Sequence, residues 1–226
     1  MNIQLSQTKN KGNFFHQNQR EILIGFCAFL AALVSLIFPN NLFGESFWSS
    51  FFLFFIFPFL AIIFILKEPL ANFGLSWGKP KSGTIWGASA AAVFILISLF
   101  LVTKPGLMNQ FSLARGIAGS FWYFLFFELF IALPLHFFWE FFFRGFIQFG
   151  LEKKLGAYSL FLQAILQSVL TLKGSWLLSS LILSSSLAAG LIARQSRSIF
   201  YSFIFSWIIS VILDIILIRI IHQAII

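Results

Sequence analysis

The stretch FWYFLFFELFIALPLHFFWEFFFRGFIQFG, residues 121–150, decides the fold. It runs for thirty residues, longer than the ~20 an α-helix needs to cross bilayer hydrocarbon. Apolar side chains fill it almost without interruption, and the exceptions are Glu128, His136, Glu140, Arg144 and Gln148. Pro134 lies in the middle, which predicts a kink or a division into two helical pieces. A soluble core helix has no use for so long an apolar run, so lipid is the expected surroundings.

The rest of the chain agrees. Of 226 residues, 59% are hydrophobic, 10% are charged and 34 are phenylalanine, with a mean hydropathy of +0.94. A soluble domain carries about 25% charged residues. Disorder, a secreted disulfide scaffold and a typical nucleic-acid module are excluded, and the single Cys27 can form no internal disulfide. The apolar runs fall near 22–38, 47–66 (with Pro58 as a bend), 85–102, 121–150, 158–172, 176–192 and 199–217. The fold class is therefore all-α: a polytopic helical membrane protein of about seven transmembrane helices, with six to eight compatible. The run at 158–172 is the marginal one. Residues 1–21 read as a cytoplasmic amino-terminal tail and 22–226 as a single multi-span membrane domain; the first run is too long and lacks the cleavage pattern of a signal peptide.

Charge placement orients the bundle. With the amino terminus in the cytoplasm, Lys9, Lys11, Arg20, Lys67, Lys79, Lys81, Lys153, Lys154, Arg194 and Arg197 fall inside. Lys104, Arg115, Lys173 and Arg219 fall outside, and Arg144 stays within a span. That bias follows positive-inside sorting. The net charge of +8 thus concerns topology and anionic headgroups rather than nucleic acid.

Positions 128, 132, 136, 140, 144 and 148 read Glu, Ala, His, Glu, Arg, Gln. Steps of four keep them near one side of a helix. Ionisable groups in hydrocarbon are costly and mark either a polar seam between helices or a catalytic, transport or binding site. Glu140 and Arg144 have the spacing to pair, and His136 and Glu140 have the spacing to hydrogen-bond or share a metal. Gly145 suits close helix packing, as do Ser184, Ser185 and Ser186. Asp214 either caps the last helix with Arg219 or joins the polar site. Trp48, Trp86, Trp122 and Trp176 near span ends read as interface anchors. H-E-x-x-H, G-x-S-x-G and nucleotide-loop motifs are absent, and a single aspartate excludes a two-aspartate protease within this chain.

The stretch W139-E140-F141-F142-F143-R144-G145-F146 resembles the first motif, Glu-Glu-x-x-x-Arg, of the CAAX protease and bacteriocin-processing (Abi-like) family of intramembrane proteins. The similarity covers about 121–214 and includes G190-LIARQSRSI, which resembles the family's approach to its last motif helix. The resemblance implies a CAAX-protease-like bundle in which a glutamate and histidines activate or bind water or a metal to cut peptide bonds. Glu140 and Arg144 keep the second glutamate and the arginine. Trp139 stands at the first glutamate. The second motif, Phe-x-x-x-His, aligns with Gln167 to Thr171, and the third, His-x-x-x-Asn, with Ser206 to Ser210. Hydroxyls at Thr171, Ser206 and Ser210 lack the base strength and ligand quality of imidazole.

The leading functional expectation is accordingly a noncatalytic or catalytically degenerate CAAX-protease-like membrane protein. It would bind a membrane peptide, a lipid-linked substrate or a partner membrane protein. One alternative is an active intramembrane endopeptidase with a nonstandard site of His136, Glu140 and Arg144, with His222 as a further group. Another is a small transporter or channel subunit. No cofactor is expected; a divalent metal such as zinc, on His136 and Glu140, enters only with the enzyme reading, and zinc sites take at least three protein ligands. Membrane lipids are expected partners, nucleic acid is not, and the location is a cell inner membrane.

Overall fold

The computed structural model describes residues 18–37, 43–102, 119–171 and 176–225. Among these residues, regular structure is helical throughout. Helix α1 spans Gln19–Ile37, α2 residues 43–66, α3 Pro80–Val102, α4 Phe121–Leu155, α5 Tyr158–Leu170, α6 Trp176–Ser196 and α7 Ile199–Ile225. A 3₁₀ turn, Leu70–Phe73, lies between α2 and α3. The seven expected spans are thus seven helices, and α1, α2, α3, α4 and α7 are long and apolar enough to cross a membrane. Helix α5 has 13 residues, about 20 Å at 1.5 Å per residue against ~30 Å of hydrocarbon. Helix α6 is longer but interrupts its apolar face with serines.

Pro134 does not divide α4, which is continuous for 35 residues. A π-helical segment, Glu128–Ala132, leads into the proline, and the Leu133 N–H donates five residues back to the Glu128 carbonyl. The wider turn absorbs the missing proline N–H and makes room for its ring, which would meet the carbonyl four residues back in an α-helix. Helix α2 uses the same device at Pro58, preceded by the π segment Phe51–Ile56.

Helix α4 is the hub. Its second π segment, Phe141–Phe149, is buried at every position and packs against α1, α2, α5, α6, α7 and the 3₁₀ turn. Helix α3 closes the other side against α6 and α7. Phenylalanine supplies much of the contact surface: Phe54 of α2 stacks near Phe142 at 4.7 Å and edge-on to Trp139 at 5.1 Å between ring centroids. Lipid is as apolar as these rings, so close packing rather than escape from water holds them together. The Gly145 backbone sits against the Phe73 carbonyl, 3.0 Å from where a Cβ would be. That is the close packing its sequence context suggests. Phe26, Phe29, Phe64, Leu96 and Phe130 are exposed on the outside, as a lipid-facing surface requires.

Arg20, Glu68, Lys79, Glu152, Arg194 and Arg197 gather at one end. Arg20 of α1 bonds Glu68 at 2.5 Å and also donates to the Gly150 carbonyl. The Lys79 N–H donates to Ser196 at 2.6 Å, and the Ile199 N–H donates to Gly74 at 3.0 Å. These bonds bring the start of α1, the 67–79 connection, the α4–α5 junction and the α6–α7 junction to the same level. Consecutive helices therefore alternate in direction, as the charge pattern requires.

Candidate functional site

Glu140 closes the α-helical part of α4, and the π segment begins at the next residue. Both Glu140 and Arg144 are buried, at 3% and 1% exposure. Arg144 Nη1 lies 3.4 Å from Glu140 Oε1, so the expected pair forms. Ser206 of α7 donates its hydroxyl to the same Oε1 at 2.9 Å. Arg144 Nη1 also donates to Gln167 Oε1 of α5 at 2.7 Å, and Nη2 reaches the carbonyl and hydroxyl of Ser186 on α6, both at 3.4 Å. The arginine thereby ties α4 to α5 and α6, and its partner Glu140 adds α7 through Ser206.

The network continues along α5 and α6. Ser186 donates to Gln167 Oε1 at 2.7 Å, with Gln163 Oε1 as a second acceptor at 3.2 Å. Gln163 donates to the Ser186 carbonyl at 3.1 Å, and Gln148 donates to the Gly190 carbonyl at 2.8 Å. A Cβ on Gly190 would lie 2.7 Å from the Gln163 amide and 2.8 Å from Gln148 Oε1; glycine lets α6 approach both. Among the described residues, three atoms of the seam have no partner: Glu140 Oε2, Arg144 Nε and Gln148 Oε1. Buried polar atoms of this kind need water or a ligand polar group.

The other candidates separate from one another. His136, half-buried on α4, makes no hydrogen bond to Glu140, and among the described residues no three His, Cys, Asp or Glu side chains are grouped to hold a metal. The side chain of His222 and all of His16 lie outside the described residues. Trp139, at the first glutamate position, packs its ring on Phe54 and Phe143 and faces away from the polar seam. Thr171 turns its hydroxyl back to the Gln167 carbonyl at 2.8 Å. Ser210 is half-buried on α7, one turn beyond Ser206. Of the four substituted positions, Ser206 alone touches Glu140.

A second polar contact lies farther along α4. Trp207 donates to Glu128 Oε2 at 3.2 Å, which joins α7 to α4, and Asp214 lies near the same carboxyl. Among the described residues Asp214 forms no ion pair with Arg219. Sequence reasoning missed Gln163, Ser186 and Trp207. The signal for the first was present: Gln163 and Gln167, four apart in an apolar helix, place two amides on one face. Ser186 differs from Ser184 and Ser185, whose hydroxyls bond carbonyls of their own helix.

Chemically, the seam can hold a carboxylate in place, orient amides and hydroxyls, and bind a polar group at Glu140 Oε2. His136, the one imidazole nearby among the described residues, lies one turn from Glu140 on the same helix and makes no hydrogen bond to it. No family model, no curated protein and no solved structure matches the chain.

Proposed function

We propose that this polytopic helical membrane protein is a CAAX-protease-like protein whose catalytic set has degenerated, binding a membrane peptide, a lipid-linked substrate or a partner membrane protein without cutting it. The observation that carries the reading is the Ser206–Glu140 bond. Glu140, at the retained first-motif glutamate, faces the position aligned with the first histidine of the third motif. Arg144 likewise meets Gln167, at the start of the stretch aligned with the second motif. Of the positions aligned with the family's histidines, Ser206 meets Glu140 and carries a hydroxyl where the resemblance implies a base, while Thr171 bonds back to its own helix. The Ser206 hydroxyl donates to Glu140 Oε1, where the resemblance implies an imidazole.

Seven crossings, a cytoplasmic amino terminus and an inner-membrane location belong to the same proposal. Its support is the gathering of Arg20, Lys67, Lys79, Lys81, Lys153, Lys154, Arg194 and Arg197 at one end. The peptidase alternative rests on Glu140 Oε2, buried and without a partner, where one water would fit the chemistry.

The test pairs cleavage with capture. Purified protein and Glu140→Gln are incubated with a panel of membrane-spanning peptides carrying a photoreactive group. Crosslinking without cleavage by either protein supports a binding role. Turnover by the native chain that Glu140→Gln abolishes would overturn it in favour of the peptidase.

A further inference from the structure

We propose that the charged end carries an anion pocket that takes a phosphate group, and that in the membrane this group is the headgroup phosphate of an anionic phospholipid. A cavity of about 490 Å³ opens between the 3₁₀ turn, the α4–α5 junction and the α6–α7 junction. Its wall includes Lys153, Arg194, Arg197, Asn72 and one acid, Glu152. That volume is within the range of pockets that hold small ligands, and the wall carries two more positive than negative charges.

Glu152 sets the two guanidinium groups side by side rather than cancelling them. Its Oε1 accepts from Arg194 Nε at 3.1 Å, and its Oε2 accepts from Arg197 Nη1 at 2.6 Å. Each guanidinium has five N–H donors, so one bond to Glu152 leaves most of its donors available. Two arginines held by one carboxylate present a paired, preformed donor surface of the kind phosphate oxygens accept. Lys153 adds an exposed ammonium from the adjoining turn.

The backbone at Arg197 is an independent sign. Helix α6 ends at Ser196, and the Ser198 N–H returns to the Ala193 carbonyl at 3.2 Å. This six-to-one bond is the Schellman helix stop, whose left-handed residue is usually glycine. Here it is Arg197, with φ of 57°. An L side chain in that conformation is held at an energetic cost, and such positions cluster where ligands are gripped. The placement aims Arg197 at the mouth of the cavity, 57% exposed.

The setting selects lipid over free anion. The cavity lies at the ends of helices whose sides are apolar and exposed. Trp77, on the same connection as Asn72, is exposed and packs on Phe200 at 5.2 Å. An exposed tryptophan at a span end marks headgroup depth.

The experiment measures the thermal midpoint and the ligand affinity of the full chain in a zwitterionic detergent. Short-chain phosphatidylglycerol, short-chain phosphatidylcholine and inorganic phosphate are titrated separately. Two variants accompany the native chain: Lys153→Gln, at an exposed position, and Arg197→Gly, which suits the left-handed backbone and keeps the helix stop. Saturable stabilisation by phosphatidylglycerol and not by phosphatidylcholine is expected, weakened about fivefold by each variant. Both variants should melt close to the native protein when no lipid is added. If inorganic phosphate binds as tightly as phosphatidylglycerol and displaces it, the pocket stands and the lipid assignment falls. If neither anion gives a saturable shift, or if both variants bind phosphatidylglycerol like the native chain, the pocket itself is overturned.

Discussion

Ser206 and Glu140 are 66 residues apart in sequence and 2.9 Å apart in space, the hydroxyl of α7 donating to the carboxylate of α4. The same carboxylate oxygen faces Arg144 at 3.4 Å, so one atom receives both a helix–helix contact and a charge partner. Neither interaction would be cheap to lose where water is excluded, because the group left behind remains buried.

The first prediction concerns that pair. Arg144→Met should lower stability by about 3–5 kcal/mol, since it leaves a buried carboxylate without its cation. Glu140→Gln should cost less, because Arg144 keeps Gln167 and Ser186. Combined, the two changes should cost less than their sum, by about 1–3 kcal/mol. Unfolding of the four proteins in mixed micelles measures the cycle, and strict additivity would show that the pair is not coupled.

Trp139, Ser206 and Ser210 should respond to substitution in graded ways. Trp139→Glu puts a carboxylate between Phe54 and Phe143, and a loss of several kcal/mol or failure to fold is expected. Ser206→Ala should cost about 1–3 kcal/mol through the lost bond to a charged acceptor. Ser210→Ala should stay within about 0.5 kcal/mol. Melting midpoints rank the three, and a tolerated Trp139→Glu would place that position in a polar site.

Gly78 tests the charged end. Its φ is 53°, and a Cβ there would lie 2.1 Å from the Ser196 carbonyl. Gly78→Ala should therefore detach the 67–79 connection from α6 at a cost of ~2 kcal/mol or more. Limited proteolysis reads this directly: cutting within 67–79 should accelerate, and unchanged cutting would contradict the docked geometry.

Acid should act through Glu68. The Arg20 guanidinium bonded to it holds its carboxyl below the ordinary value of 4.5. A group with a depressed folded pKa gives stability that is present above its unfolded pKa and lost as pH falls through the folded one. Between pH 7 and about 5 the contribution should be constant; below about 4.5 it should fade. Glu68→Gln removes it at every pH, so its melting midpoint should fall less steeply than that of the native chain over the acid range. Parallel curves for the two proteins would show that the Arg20–Glu68 bond adds nothing.

Much of the architecture was legible because lipid imposes a simple rule on composition. A helix must satisfy its own backbone and carry apolar side chains outward, so seven apolar runs read directly as seven helices. Of the two outcomes Pro134 allows, a kink or a division, the helix is not divided, for a local reason. A π turn costs little when neighbours fill the widened helix, and no residue pattern announces it. The polar stripe was legible in part: Glu140 and Arg144 pair at the spacing that helical geometry gives them, whereas His136, in the same register, makes no hydrogen bond to Glu140.

Residue types and their order by themselves determined the membrane, the helices, their alternating direction and the rarity of charge along α4. Tertiary structure alone decided which rare polar groups became a site. Whether Arg144 and Glu140 remain an isolated pair or tie α4 to three other helices depends on Gln167 and Ser186, which meet the arginine, and on Ser206, which meets the glutamate. Hydrophobicity acts along one helix at a time, so it is written in the chain. A buried hydrogen bond needs two partners at about 3 Å with the right angle, and that condition is met only when helices far apart in sequence have packed.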